Sequence, residues 1–212
     1  MSLVERCLEA LAAQLGRPRG RIGRMIGLAL NRGNRSLVGA AIDASGATTG
    51  AAVADVGFGG GVGLELLLRR VGTPGRVHGV EVSDTMLAQA RNRFGREIAD
   101  GHLVLHEAPM EALPFEDGAL DAIVSTNTIY FVEHLDVALA ELARVLRPGG
   151  TLVLGIGDPE RMASMPFTRF GFRLRPMRDV SVAMDAAGFT GSVAKQAGGG
   201  PTPSFVVVGT RS

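Results

Sequence analysis

The stretch VADVGFGGGVGLELLLRR, residues 53–70, constrains this chain more than any other. An apolar run of strand character meets a helical stripe of Leu64, Leu67 and Leu68, with five glycines between Gly57 and Gly63 at the join. Such joins bring backbone N–H groups and a helix N-terminus against a ligand, usually a nucleotide. The dinucleotide fingerprint needs glycines at i, i+2 and i+5. Counting from Gly57, the third place falls on Val62, and from Gly59 on Leu64, so it fails in both registers. A P-loop fails as well, because no Gly-Lys-Ser/Thr follows. The spacing that does hold is D-x-G-x-G-x-G: Asp55, Gly57, Gly59, Gly61.

An acid beside the loop repels a pyrophosphate and suits an ammonium group. A helix starting near Gly61 favours a carboxylate close by. A zwitterionic amino acid joined to a nucleoside meets both demands, and S-adenosylmethionine (SAM) is such a molecule. Glu81 stands 20 residues after Gly61, where doubly wound folds place an acid on the ribose hydroxyls. As a strand-end acid it is expected outside the core.

From residue 51 onward, strand and helix patterns alternate. Runs of strand character occupy 51–56, 76–82, 103–106, 120–125, 151–156, 192–196 and 205–210. Helical stripes fall between them: Met86, Leu87 and Ala90 behind a Ser83 cap, Leu139, Leu142, Ala143 and Leu146 ahead of RPGG, and a helix near 178–187 that ends at Gly188. This predicts an α/β, Rossmann-like, doubly wound sheet of seven strands, mostly parallel. The last two runs leave no room for a helix between them, so the final strand is expected to be antiparallel.

The first 50 residues read as a helical lid or extension, ahead of a SAM-binding domain over 51–212. Val4, Leu8, Leu11 and Leu15 form one stripe, interrupted by Pro18, and Ile22, Met25, Ile26 and Ala29 form a second. A third short helix is expected from Ser36, carrying Leu37 to Ile42. Such helices are too short to bury a core alone, so their stripes are expected to lie on the α/β body. Residues 16–35 hold six arginines (Arg17, Arg19, Arg21, Arg24, Arg32, Arg35) and no acid, a solvated face or a contact with anionic lipid. Aromatic residues do not interleave with them, which disfavours nucleic acid.

Composition excludes several classes. Net charge is +1, and the single Cys7 permits no internal disulfide framework and no metal-ligand spacing. No apolar run approaches the ~20 residues that span a bilayer, and the first ten residues carry acids where a signal peptide carries bases. A cytoplasmic protein without stable membrane insertion is expected, monomer or homodimer being open.

Four segments taken in order resemble the class I SAM-dependent methyltransferases, in particular the small-molecule family with a G-D-A-E-x-L-P-F motif: ADVGFGGGVG, GVEVSDTMLAQA, APMEALPFEDGALDAIVS and ELARVLRPGGTLVLG. The resemblance covers roughly residues 51–210. It implies SAM as cofactor, without metal. Asp55, Gly57, Phe58 and Gly59 would lie at its methionine end, Glu81 at the ribose, and Val82 and Met86 against the adenine. The Met110 N–H would meet a ring nitrogen, and Thr126 would face the sulfur. The family's adenine-side acid falls on Pro109, leaving Glu107 or Glu111 as substitutes.

Methyl transfer from a sulfonium needs alignment and a dry site, and a base only where the acceptor keeps its proton. The candidates for chemistry follow the fourth strand. Tyr130, the only tyrosine, could orient a polar acceptor, and His134 could act as a base. His78, His102 and His106 sit in or beside strands and imply nothing specific. The segment GDPERMASMPFTRFGFRLRP is expected to roof the acceptor, with Met162, Met165, Phe167, Phe170 and Phe172 beside Arg161, Arg169, Arg173 and Arg175. That mixture suits an aromatic or amphipathic small molecule, of secondary-metabolite type, with an acidic group. Asn31 and Asn34 of NRGN could reach the cofactor if that stretch is a loop. Two alternatives stand beside a small-molecule methyltransferase: a lipid or quinone methyltransferase at a membrane surface, and a SAM-binding protein without activity.

Overall fold

The computed structural model describes residues 2–197 and 203–212, with the side chains of 28–32 also outside the description. Two helices come first, α1 (Leu3–Gly16) and α2 (Gly20–Ala44). The body then runs β1 (Ala52–Val56), α3 (Val62–Val71), β2 (Arg76–Glu81), α4 (Asp84–Arg93), α5 (Gly95–Ala99), β3 (Leu103–Glu107) and β4 (Leu120–Thr126). It continues with α6 (Leu135–Val145), β5 (Leu146–Gly157), α7 (Pro159–Ala163), α8 (Met177–Ala186), β6 (Phe189–Ala197) and β7 (Ser204–Arg211). The strands form one sheet in the order β3-β2-β1-β4-β5-β7-β6. Only β7 runs antiparallel, pairing with both β5 and β6, as the missing crossover helix requires.

Local chemistry sets the element ends. Ser83 caps α4, its Oγ accepting from the Met86 N–H at 3.3 Å. Gly72, at φ 62°, stops α3 in a backbone region that side chains avoid. The central strands are buried on both faces, so they read as continuous apolar runs. One core lies between the sheet and α6 and α8, built on Leu139, Leu142, Leu152, Val180 and Phe189. The other lies under α2, α3 and α4, built on Leu37, Val38, Leu64, Leu67 and Met86. Strand order reverses between β1 and β4. A crevice at the C-terminal ends of those strands is where such sheets bind ligands.

Three expectations for the N-terminal region change. The third short helix does not exist as a unit: α2 runs from Gly20 to Ala44 without interruption at Ser36. NRGN therefore lies inside α2, not in a loop. Neither expected stripe docks as a whole: in α1, Val4 and Leu11 are exposed. Leu37, Val38, Ala41 and Ile42 are buried, whereas Ile22 is 66% and Met25 71% exposed. Ala29 and Asn31 fall among the side chains outside the description.

Candidate functional site

A cavity of about 350 Å³ opens at the reversal point between β1 and β4. Ten of the residues assigned above to the cofactor line it: Asp55, Gly57, Phe58, Gly59, Glu81, Val82, Met86, Met110, Glu111 and Thr126. The glycine loop turns through left-handed backbone at Gly57, Gly59 and Gly61. A side chain on Gly57 would collide with Thr128, and one on Gly63 with the Asp55 carboxylate. These glycines let the loop pass between β4's exit and the acid.

Asp55 is 3% exposed. Burial, with the charge of Glu81 beside it, pushes its carboxyl up to about 7. A buried acid facing a cavity without a cation is incompletely solvated, and an ammonium group placed there would restore its charge. Glu81 accepts three backbone N–H groups: Gly59 at 3.0 Å on Oε2, and Val82 at 2.8 Å and Ser83 at 3.0 Å on Oε1. Burial raises its pKa, opposed by those three donors and by Arg17. Glu81 is thus not the peripheral acid expected: it is 7% exposed and ties the glycine loop to the end of β2. Oε2 keeps a spare lone pair for a hydroxyl.

On the adenine side, Glu111 lines the cavity with Ala108 and Pro109, whereas Glu107 is exposed and does not. The Met110 N–H makes no hydrogen bond among the described residues. The elbow between α1 and α2 closes the opposite rim. Ser83 Oγ donates to the Pro18 carbonyl, and the Gly20 N–H donates to Thr85 Oγ1 at 3.0 Å. Leu15, Gly16, Pro18, Asn34 and Val38 thereby join the lining. Sequence reading assigned none of these to the site apart from Asn34. Gly16 and Gly27 make room for this closure, since a side chain there would meet Phe131 and Met86.

A second cavity of about 390 Å³ adjoins the first and shares Leu15, Asn34, Asn127 and Phe131 with it. Its walls include Leu37, Tyr130, Met162, Met165, Phe167 and Phe172. Phe172 packs edge-on against Phe131 at 4.7 Å and Phe167 at 5.7 Å, and tilted against Tyr130 at 5.9 Å, between ring centroids. Phe170 and the four expected arginines are not in the lining. Two of those arginines work behind the wall. Arg175 donates to the Ile129 and Val132 carbonyls at 2.8 Å each, and Arg173 pairs with Glu133 at 2.8 Å. The acidic acceptor group inferred from these arginines therefore loses its partner.

Tyr130 is buried and engaged. Its hydroxyl accepts from the Gly157 N–H and donates to Asn127 Oδ1 at 3.3 Å. Burial raises the phenol pKa, which makes it a structural link and a poor acid or base. His134 caps α6 by position, is exposed, and lines neither cavity. His78 and His106 face each other, Nδ1 to Nε2 at 3.1 Å, at the β2–β3 edge away from both cavities.

Residues 54–154 match the family model described as a methyltransferase domain. The chain is 34% identical over 147 residues to a ubiquinone/menaquinone biosynthesis C-methyltransferase of Marinomonas sp. (strain MWYL1), covering 68% of this chain and 59% of that protein. It is 35% identical over 150 residues to an uncharacterized 37.1 kDa protein in transposon TN4556 of Streptomyces fradiae, covering 67% of this chain and 43% of that one. The chain thus spans less than two thirds of the length of these relatives. Among solved structures it superposes on a SAM-dependent methyltransferase from Aquifex aeolicus with TM-score 0.75 at 20% identity, covering 89% of this chain and 98% of that one. It also superposes on geranyl diphosphate C-methyltransferase from Streptomyces coelicolor A3(2), TM-score 0.74 at 18% identity, covering 100% and 99%. At these identities the likeness is one of fold. By fold, motif order and matched segment the chain falls among the class I SAM-dependent methyltransferases. SAM is the cofactor that goes with that class.

Proposed function

We propose that this chain transfers a methyl group from SAM to a small, largely apolar or aromatic acceptor. The observation that carries the reading is the apolar, aromatic-walled cavity sharing four residues with the cofactor cavity. Asp55 would hold the ammonium of the cofactor, Glu81 Oε2 a ribose hydroxyl, and Val82 and Met86 the faces of the adenine. The Met110 N–H and Glu111 would meet the adenine edge. SAM supplies an electrophilic methyl on a sulfonium. The chain's own part is to align the two molecules: Phe131 and Leu15 line both cavities, and Arg175 fixes the segment bearing Phe131. Alignment of this kind can contribute ~7–11 kcal/mol. We further read residues 1–50 as the lid, since both helices contribute to the cofactor rim.

Calorimetry with SAM, S-adenosylhomocysteine (SAH), NAD and ATP tests the cofactor. Binding of the first two alone is expected, and binding of NAD or ATP with silence for SAM would overturn the reading. Transfer of labelled methyl from SAM to a panel of naphthols and quinols, without added metal, then tests the acceptor class.

A second reading places the acceptor in a membrane surface. It is supported by exposed Ile22 and Met25 among Arg17, Arg19, Arg21 and Arg24, the mixture that lies in an anionic lipid interface. Relatives named for ubiquinone and menaquinone biosynthesis fit an apolar, ring-bearing acceptor of that origin. No helix of the described residues is long and apolar enough to cross a membrane. Co-sedimentation with phosphatidylglycerol vesicles and its absence with phosphatidylcholine would support this version, and binding to neither would remove it.

A further inference from the structure

Among the described residues, Asn127 alone combines a side chain with left-handed backbone, at φ 56°. It follows directly on β4, its N–H donates to the Gly155 carbonyl at 2.8 Å, and it borders both cavities. Asparagine tolerates this backbone region better than most residues, yet the position still carries strain. Strain held on the seam between two ligand cavities points to a role there.

Hydrogen bonding orients the side chain. The Tyr130 oxygen already accepts from the Gly157 N–H, so its own proton needs an acceptor, and Asn127 Oδ1 provides it at 3.3 Å. With Oδ1 turned to Tyr130, the amide nitrogen is directed elsewhere. It has no hydrogen-bond partner among the described residues. The described lining of the second cavity contains no carboxylate, imidazole, lysine or arginine. Of the four residues that border both cavities, Leu15 and Phe131 are apolar and Asn34 and Asn127 carry amides, and the Asn127 amide is the one that a bond to Tyr130 holds in a set orientation.

Resting on the methyltransferase reading, we propose that Asn127 Nδ2 is the specificity-determining donor of the acceptor site. It takes an oxygen of the acceptor, a carbonyl or a phenol, at the edge of an otherwise apolar molecule. The aromatic wall binds the carbon skeleton of any such molecule. The amide sets its register and favours those with an oxygen at the edge nearest the cofactor cavity.

The test uses the full chain saturated with SAH and two probes of similar shape, 2-naphthol and 2-methylnaphthalene, followed by their fluorescence. Wild type is expected to bind the naphthol about tenfold more tightly, one good hydrogen bond's worth. Asn127→Asp and Asn127→Gly both accept left-handed backbone and both remove the donor. Each should bring the two affinities to within about threefold, with methylnaphthalene binding kept. Equal binding of both probes by wild type, or a preference that survives in both variants, overturns the proposal alone. Loss of SAH binding in both variants assigns Asn127 to the cofactor instead and also overturns it. Binding of neither probe by wild type removes the apolar acceptor site itself, and this inference falls with it.

Discussion

The two adjoining cavities are nearly equal in volume and opposite in construction. The proposed cofactor cavity takes its polar groups from the glycine loop and the two buried acids on β1 and β2, with Val82, Met86, the loop after β3 and the α1–α2 elbow completing its wall. The acceptor cavity is made of side chains drawn from α1, α2, the segment after β4 and the segment after β5. A site made from strand ends and glycines tolerates little change in its residues, because each atom is placed by the sheet. A site made from apolar side chains can be reshaped one residue at a time, since volume and shape matter more than identity. The 54–154 match reflects this: it contains Asp55, Glu81 and Thr126 but stops short of Met162, Met165, Phe167 and Phe172.

The largest effect expected on the cofactor side comes from Asp55. Asp55→Asn keeps the shape and removes the charge that an ammonium would meet. SAM affinity should fall by roughly 100-fold, the upper range for a hydrogen bond to a charged group, while the melting temperature of the ligand-free protein rises. The rise follows from the sign of the pKa shift. A carboxyl raised to about 7 in the fold holds its proton there when the unfolded chain has lost it, so its ionisation opposes folding as pH climbs from about 4 to 7. In wild type the same shift makes SAM binding weaken about tenfold for each pH unit below 7. A SAM affinity flat from pH 5.5 to 8 would mean that Asp55 is already ionised, or is not the ammonium site.

Glu81→Ala sharpens the comparison, because this acid serves both structure and binding. Three backbone N–H groups would lose their acceptor, so stability and SAM affinity should each fall by about 1.5–3 kcal/mol. An unchanged melting temperature would show that water replaces the carboxylate at no cost. The acceptor-side counterpart is Tyr130→Phe, which strands the Gly157 N–H and frees Asn127. Stability should fall by about 1 kcal/mol, with SAM affinity within about twofold of wild type. Tyr130 is the only tyrosine in a chain without tryptophan, so wild-type emission excited at 280 nm reports this pocket alone. Acceptor binding should change that emission, and SAM binding far less.

The difference between the cavities also explains what could be read beforehand. The spacing of Asp55, Gly57, Gly59 and Gly61 and the position of Glu81 follow from a strand period and a turn, both local. That made the lining of this cavity legible, together with the seven strands and the antiparallel last one. The depth of Glu81 was not, because its three N–H partners include Gly59, 22 positions earlier in the chain. The acceptor wall depends on where distant segments meet. Phe170 and Phe172 are alike in sequence, and only the fold turns one into the cavity. Arg175 looked like a ligand for an acidic acceptor, but its hydrogen bonds go to the Ile129 and Val132 carbonyls, more than forty positions away. Asn127 carried no pattern at all, since its backbone angle and its bond to Tyr130 appear only in three dimensions.

The smallest effect separates the two halves of α2, each of which carries an apolar stripe in sequence. The second half is anchored: Val38 faces the cofactor cavity, and Ala41 and Ile42 lie in the core. The first half touches the body through Gly27 against Met86 and through the elbow bonds to Ser83 and Thr85. Two of its apolar side chains, Ile22 and Met25, are exposed. The double substitution Ile22→Ser and Met25→Ser should therefore change stability by no more than about 0.5 kcal/mol, the range for surface positions, and leave SAM affinity unaltered. A loss of several degrees in melting temperature would mean that this face is covered in solution. If sedimentation then showed wild type as a dimer and the variant as a monomer, the cover would be a second copy of the chain. Unchanged stability with lost binding to phosphatidylglycerol vesicles would instead assign the face to lipid, since serine removes the apolar anchor while Arg17, Arg19, Arg21 and Arg24 keep their charge.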